Sequence, residues 1–194
     1  MVPEAHWLWH DELSLRLGDV NLLVSKDEHA SELFTALDDD RVWVHVKGRP
    51  NRSSDWREVI AGAHQAGRWM WTVFWHDRVV GTTSYLDLSV QDARVEIGYT
   101  TYAVEMWGSG VNAACKLLLL DWAFGPCAMN RVQLKTDVRN LRSQAAIAAL
   151  GAVQEGVLRG YQRRQDSSMR DTVMYSILAN EWPDLRTRLL TRVP

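Results

Sequence analysis

The sequence predicts a mixed α/β domain (α+β in layout), a sheet of largely consecutive strands with helices packed on it. Three observations predict it. Between Arg68 and Tyr102, three runs rich in Val, Ile, Thr and aromatic residues follow one another with only turn-length gaps, the mark of a meander. A Gly-Ser-Gly turn at Gly108–Gly110 then opens a strongly apolar helical segment. Beyond it, strand-like and helix-like runs alternate without the strict rhythm of a parallel βαβ repeat.

The elements follow in order. "VNLLVS" (Val20–Ser25) reads as a short strand and Lys26–Leu37 as a helix. Residues Asp38–Ser53 are polar, contain Gly48 and Pro50, and read as a loop. Ser54 is a candidate N-cap, and Gly67 a stop, for a second helix. "RWMWTVFW" and "RVVGTTSYLDL" flank His76-Asp77 as a hairpin, and "RVEIGYTTY" is the next strand, with Glu96 on one face. A helix then runs to about Phe124. In "RVQLKTDV", Val132, Leu134 and Thr136 alternate with Gln133, Lys135 and Asp137, giving a strand with one polar face. Asn140 caps a helix that stops at Gly151. "DTVMYSIL" is the last strand, and Val157–Arg163 offers one more. No repeat or linker divides the chain, so residues 1–194 are expected to form one domain.

Composition excludes several classes. Charged residues make up 24% of the 194, with a net charge of −2 and no basic stripe, so a nucleic-acid partner is not expected. The longest apolar run, near Leu117–Leu120, is broken by Asp121, far short of the ~18 residues of a membrane span. "MVPEAHWLWHDELS" has acids and histidines where a secretory leader is basic and then apolar. Cys115 and Cys127 are the only cysteines and lack metal-ligand spacing; two reduced thiols in a cytoplasmic protein is the simpler reading. His6 and His10 lack the glutamate of a zinc-hydrolase site, so no metal is expected and an exposed tail is the reading there. Ten tryptophans are unusual. Trp69, Trp71 and Trp75 share one strand parity, which suits a core or dimer surface better than an aromatic wall beside a cleft.

The Gly108–Gly110 turn is where chemistry concentrates. Bare amides converging at a helix start favour an anion, and the helix dipole adds to this. A Walker-type loop fails because Lys116 stands between Cys115 and Leu117 without the Gly-Lys-Ser/Thr order. A dinucleotide fingerprint is met formally by Gly108 to Ala113, with Asp137 ending the next strand, but the turn follows a meander instead of the first strand of a parallel unit.

Four linked blocks carry a third reading: "EIGYTTY", "WGSGVNAACKLLLLDWAF", "RVQLKTDVRNLRSQAAIAALGAVQEGVLR" and "RDTVMYSILANEW". In order and spacing they resemble the GCN5-related N-acetyltransferase (GNAT) family, in its ribosomal-protein N-acetyltransferase (RimJ/RimL-like) branch. The resemblance covers roughly Arg94 to Trp182. It implies a mixed, mostly antiparallel sheet, splayed in the middle, with helices on both faces. It also implies acetyl-CoA as cosubstrate, a small-molecule or protein N-terminal amine as acceptor, and a homodimer. Backbone groups of Tyr99, Thr100, Thr101 and Tyr102 would pair with the pantetheine arm. Amides of Trp107, Gly108, Ser109, Gly110, Val111 and Asn112 would cradle the pyrophosphate. The family's loop begins with Gln or Arg where this chain has Glu105, which must then point away.

The resemblance implies direct attack of an amine on the thioester. Backbone N–H groups near Tyr99 to Thr101 would meet the oxyanion. Asn140 would bond the coenzyme, and Ser143 would meet the thiol sulfur; both could equally serve helix capping. Relatives carry a proton acceptor seven residues beyond the glutamate that matches Glu155, where this chain has Gln162. Glu96 and Asp171 are the remaining carboxylates that could take a proton. Glu96 could equally hold the sheet or bind the substrate cation, while Glu155 suits a structural hydrogen bond. A missing base would favour an α-amine, pKa ~7.7–8.0, over a lysine amine at ~10.4. Gln162 also keeps open a protein that binds coenzyme A without turnover, as a sensor or interaction partner.

Overall fold

The computed structural model describes residues 4–193; the first three residues of the stretch read as lacking a leader, and Pro194, lie outside them. Eight strands form one sheet in the order β1-β2-β3-β4-β5-β6-β8-β7. They are β1 (Ser14–Leu17), β2 (Val20–Val24), β3 (Trp69–Trp75), β4 (Arg78–Ser89), β5 (Arg94–Tyr102), β6 (Arg131–Asp137), β7 (Val153–Arg163) and β8 (Met169–Leu178). All neighbours pair antiparallel except β5 and β6, which are parallel. Among the described residues, six α-helices accompany the sheet: α1 (Ala30–Leu37), α2 (Asp40–Trp43), α3 (Ser53–Gln65), α4 (Val111–Phe124), α5 (Leu141–Ala148) and α6 (Trp182–Leu190).

The sheet separates two apolar clusters. The larger lies under α4 and includes Val95, Ile97, Leu117, Leu120, Val132 and Val173. The smaller lies under α1 and α3 and is built from Leu33, Leu37, Trp56, Ile60 and Met70. α4 is apolar around nearly its whole circumference because it contacts β1, β2 and β6 on the sheet side and α6 on the other. Its Asp121 accepts from Trp182 Nε1 at 2.9 Å and Arg186 Nε at 2.7 Å, which fixes α6.

Several expectations need correction. The segment Asp38–Ser53 is not all loop: Asp39 accepts from the Arg41 amide and caps α2. α3 starts at Ser53 after Arg52, so Ser54 is inside the helix instead of being its cap. The first helix opens as a 3-10 turn, Asp27–His29. β7 begins at Val153, earlier than Val157, while β1 and α6 had no counterpart in the sequence reading. The N-terminal segment is only half a tail. His6 and His10 are exposed, but Trp7 between them packs edge-on against Trp69, Tyr85 and Trp122, and Trp9 against Trp71. Trp69 and Trp71 are therefore core, with Trp71 fully buried. Among the described residues, no helix is long and apolar enough to cross a membrane.

Candidate functional site

The site begins where β5 and β6 part. They pair only from Arg94↔Arg131 to Glu96↔Gln133. Past that point, Ile97–Tyr102 keeps β4 on one edge and, among the described residues, has no strand on the other. A parallel pair cannot close this gap with a hairpin, so an extended backbone edge faces an open slot. Such an edge can take an extended ligand as a further strand partner.

A bulge shapes this edge. The β4–β5 register shifts between Thr82↔Thr101 and Ser84↔Gly98, and Tyr99 sits in the left-handed region at φ 47°. Side-chain parity switches there. Val95 and Ile97 face α4, and after the bulge so do Thr100, hydrogen-bonded to Lys116, and Tyr102 in the same cluster. Tyr99 turns to the α3 face, exposed, with Arg68 Cζ 4.5 Å from its ring centre. The predicted oxyanion donors, Tyr99 to Thr101, thus lie in the stretch of β5 that carries the left-handed residue.

At the end of β5 a 3-10 turn, Val104–Met106, leads into the glycine loop, with Glu105 exposed on it. Gly108 (φ 80°) and Gly110 (φ 88°) are both left-handed, which explains the two glycines. A Cβ at Gly108 would meet nothing in the chain within 4 Å, so that side of the loop is open. The predicted set of six amides is narrower in the structure. Trp107 N–H donates to Val104 O, Ser109 N–H to Met106 O, and Val111 N–H to Ser109 Oγ at 3.4 Å. The first helical bond runs from Ala114 to Gly110. Among the described residues, the amides of Gly108, Gly110, Asn112 and Ala113 therefore have no acceptor, and they stand at the positive end of α4.

The opposite wall is the start of α5. Asn140 Oδ1 accepts from Ser143 N at 3.1 Å, which is capping. The half-buried Ser143 hydroxyl makes no hydrogen bond to another described residue, so it remains available. Sequence reasoning missed Arg142, whose guanidinium lies 3.3 Å from the Trp107 ring centre and links α5 to the glycine loop. It also missed Lys116, 4% exposed, which donates to Thr100 Oγ1 at 2.9 Å and Thr83 Oγ1 at 3.3 Å beneath the bulge. Burial draws that lysine down to about 8. A lysine inside "AACKLLLL" was the available signal.

The α3 face carries the charged groups. Glu96 is buried, with Lys135 Nζ at 2.7 Å and Gln133 Nε2 at 3.3 Å from Oε2. Burial lifts its carboxyl above the ordinary range, and Lys135 acts against that without cancelling it. Asp137 takes both Nε and Nη2 of Arg164, a bidentate pair that lowers it to about 2. Asp171 must be struck from the carboxylates that could take a proton. It alternates with Thr172, the partner of Asp137, so it points to the opposite face, where Oδ1 accepts from Gly160 N at 2.7 Å. Glu155 is structural as expected, held by both Arg131 nitrogens and by Ser176. Gln162 pairs with Arg170 across β7 and β8. Cys115 and Cys127 are buried, their thiols pushed up to about 11, so neither offers a thiolate near neutrality. Among the described residues, no group of three or more His, Cys, Asp or Glu could hold a metal ion.

A splayed parallel pair with a glycine loop and helix N-terminus at its end is the arrangement implied by the resemblance to the GNAT acetyltransferases. The chain belongs to that family: residues 20–153 match the acetyltransferase (GNAT) domain. It is 30% identical over 118 residues to the uncharacterized N-acetyltransferase p20 of Bacillus licheniformis, an alignment spanning 61% of this chain and 65% of p20. It superposes on a crystal structure from T. thermophilus, assigned as an acetyltransferase, with TM-score 0.88 and 34% identity over 97% and 100% of the two chains. RimL, a ribosomal L7/L12 α-N-protein acetyltransferase in complex with coenzyme A, shares the fold at TM-score 0.77 and 16% identity, over 87% and 99% of the chains.

Proposed function

We propose that the chain is a single acetyltransferase domain that transfers an acetyl group from acetyl-CoA to a primary amine by direct attack. The amine is a protein N-terminus, an aminoacyl compound or a small amine. The observation that carries the reading is the unpartnered edge of β5 running into a loop with four free amides. The coenzyme A in RimL supports it.

Bound acetyl-CoA would supply a thioester with an electrophilic acyl carbon. The edge Ile97–Tyr102 binds the pantetheine amides as a strand would. Gly108, Gly110, Asn112 and Ala113 hold the pyrophosphate, with Arg142 beside them. Backbone N–H groups at the Tyr99 bulge receive the charge developing on the acyl oxygen. Ser143 donates to the departing sulfur, which needs little help because a thiolate of pKa ~8.5 is a fair leaving group. Glu96, lifted by burial, accepts the ammonium proton. With Gln162 where relatives carry a proton acceptor, the acceptor is an amine already partly neutral at cytoplasmic pH, an α-amine and not a lysine.

The test is thiol release from acetyl-CoA with a panel of peptides bearing free N-termini, polyamines, lysine and aminoglycosides, run beside Ser143→Ala. Amine-dependent release that falls in the variant is expected. A second reading, coenzyme A binding without turnover, is favoured by Gln162 and by the tight Glu96–Lys135 pair. Calorimetric binding with no release from any amine would make that reading the better one.

A further inference from the structure

The half-buried arginines of the described chain fall into two groups. Arg49, Arg94, Arg131 and Arg164 each have a carboxylate within 4 Å. Arg68 and Arg170 have none among the described residues. The Arg68 guanidinium reaches only Val59 O at 3.4 Å and Met70 Sδ at 3.7 Å. The Arg170 side chain makes no hydrogen bond to a described residue, and its Nε is buried without a partner. A guanidinium cannot shed its proton, so its burial calls for an anion or a full set of acceptors. Desolvation accordingly disfavours the charge on both.

Both exceptions lie on one face and flank one residue. Arg68 shares the parity of Met70, facing α3, and lies against the Tyr99 ring. Arg170 shares the parity of Thr172, hence of Asp137 and Lys135; its charge feels the Asp137 carboxylate most, with Arg164 opposing, and is also within electrostatic reach of Glu96 and Tyr99. Arg68 immediately precedes β3, two strands away from β5, and Arg170 lies on β8, one strand beyond the slot. The two cations therefore approach Tyr99 from opposite sides of the slot mouth. The carboxylates of this face are already taken: Glu96 by Lys135 and Asp137 by Arg164.

We propose that Arg68 and Arg170 form an anion subsite for the acceptor, so that the amine acetylated here also carries a carboxylate. The proposal rests on the acyl-transfer reading above. Coenzyme A does not supply the anion. Its phosphates belong at the glycine loop, and the pantetheine arm between them and the thioester is uncharged. An anion beside Tyr99 must arrive with the acceptor. A carboxylate matches the planar guanidinium fork. It could be the α-carboxylate of a free amino acid or an acidic side chain at a peptide N-terminus.

The experiment uses acceptor pairs that differ only in that charge. Alanine against alaninamide tests the free α-carboxylate, and Glu-Ala-Ala-amide against Gln-Ala-Ala-amide tests the acidic side chain. The two members of each pair are compared at the same fraction of neutral amine. In at least one pair, the carboxylate member should have a kcat/KM about tenfold or more above its twin, mainly through KM. Arg170→Gln and Arg68→Gln should each bring that ratio toward one. Equal use of both members in both pairs, or variants that lower both members together and leave the ratio intact, would overturn the subsite. If no acceptor is turned over, the acyl-transfer reading fails by itself. The subsite is then judged by calorimetry of the same four compounds on the coenzyme A complex. Tighter binding of a carboxylate member, lost in Arg170→Gln, sustains it; equal or no binding of both members overturns it.

Discussion

The two walls of the slot are built from different materials. The wall proposed to hold coenzyme A is main chain: among the described residues, four amides at the start of α4 without an acceptor, one unpaired strand edge and one unbonded serine hydroxyl. The face proposed to meet the acceptor is side chain: Glu96, Lys135, Asp137, Arg164, Arg68 and Arg170, brought together from β5, β6, β8, the residue before β3 and the loop after β7. Main-chain groups recognise what every acyl-CoA shares, and backbone geometry fixes them whatever side chains surround them. Charged side chains can vary without disturbing the sheet. On the proposed reading, a common donor is held by the invariant part of a polypeptide and a particular acceptor by its variable part.

If this division holds, substitutions on the acceptor face should act through charge, and those on the cofactor wall through backbone. The largest effect is expected for Lys135→Met. It strands Glu96 without its cation and should lower unfolding free energy by about 3–5 kcal/mol in urea titrations, with much of the loss recovered in Lys135→Met/Glu96→Gln.

Beneath the bulge, Lys116 predicts a pH effect. Its folded pKa of about 8 lies below the ordinary 10.5, so between these values the unfolded chain holds a proton that the folded protein does not. Stability should rise from pH 8 to 10.5 and be lost again as the pH falls back through 8. Below 8 the penalty is constant, on the order of 3 kcal/mol. Lys116→Met should flatten that slope in denaturation curves across the range.

On the cofactor wall, Gly110→Ala forces a Cβ into a left-handed cap. A strain of about 1–2 kcal/mol should appear as coenzyme A affinity weakened about tenfold in calorimetry, with acceptor selectivity unchanged. The smallest stability effect belongs to α5. Asn140→Ala should cost about 1 kcal/mol as a lost cap, whereas Ser143→Ala should lower kcat about tenfold with an unchanged urea midpoint.

The same division decides what could be read from the sequence. The Gly108–Gly110 turn, Asn140 and the polar alternation of β6 are local patterns, and each lies where its spacing put it. The bulge at Tyr99 is not local, because its cause is the register with β4, and "EIGYTTY" carries no glycine at the left-handed position to announce it. Asp171 looked available because parity relative to Asp137 becomes visible only once β6 and β8 are paired. β1 is four residues with no buried side chain, and α2 is a single turn inside a polar stretch; neither buries enough apolar surface to leave a pattern. Trp7 and Trp9 read as tail because the segment has no periodicity, yet long-range aromatic contacts anchor it.

On the proposed reading the cosubstrate binds along the open edge of β5 and on the loop amides that lack an acceptor among the described residues. Amide hydrogen exchange with and without coenzyme A tests this directly. The account predicts slower exchange at Gly108, Gly110, Asn112 and Ala113 and along Ile97–Tyr102, with Trp107 and Ser109, already bonded within the chain, changing least. Protection that appears elsewhere, or a loop unchanged at saturating coenzyme A, would contradict it.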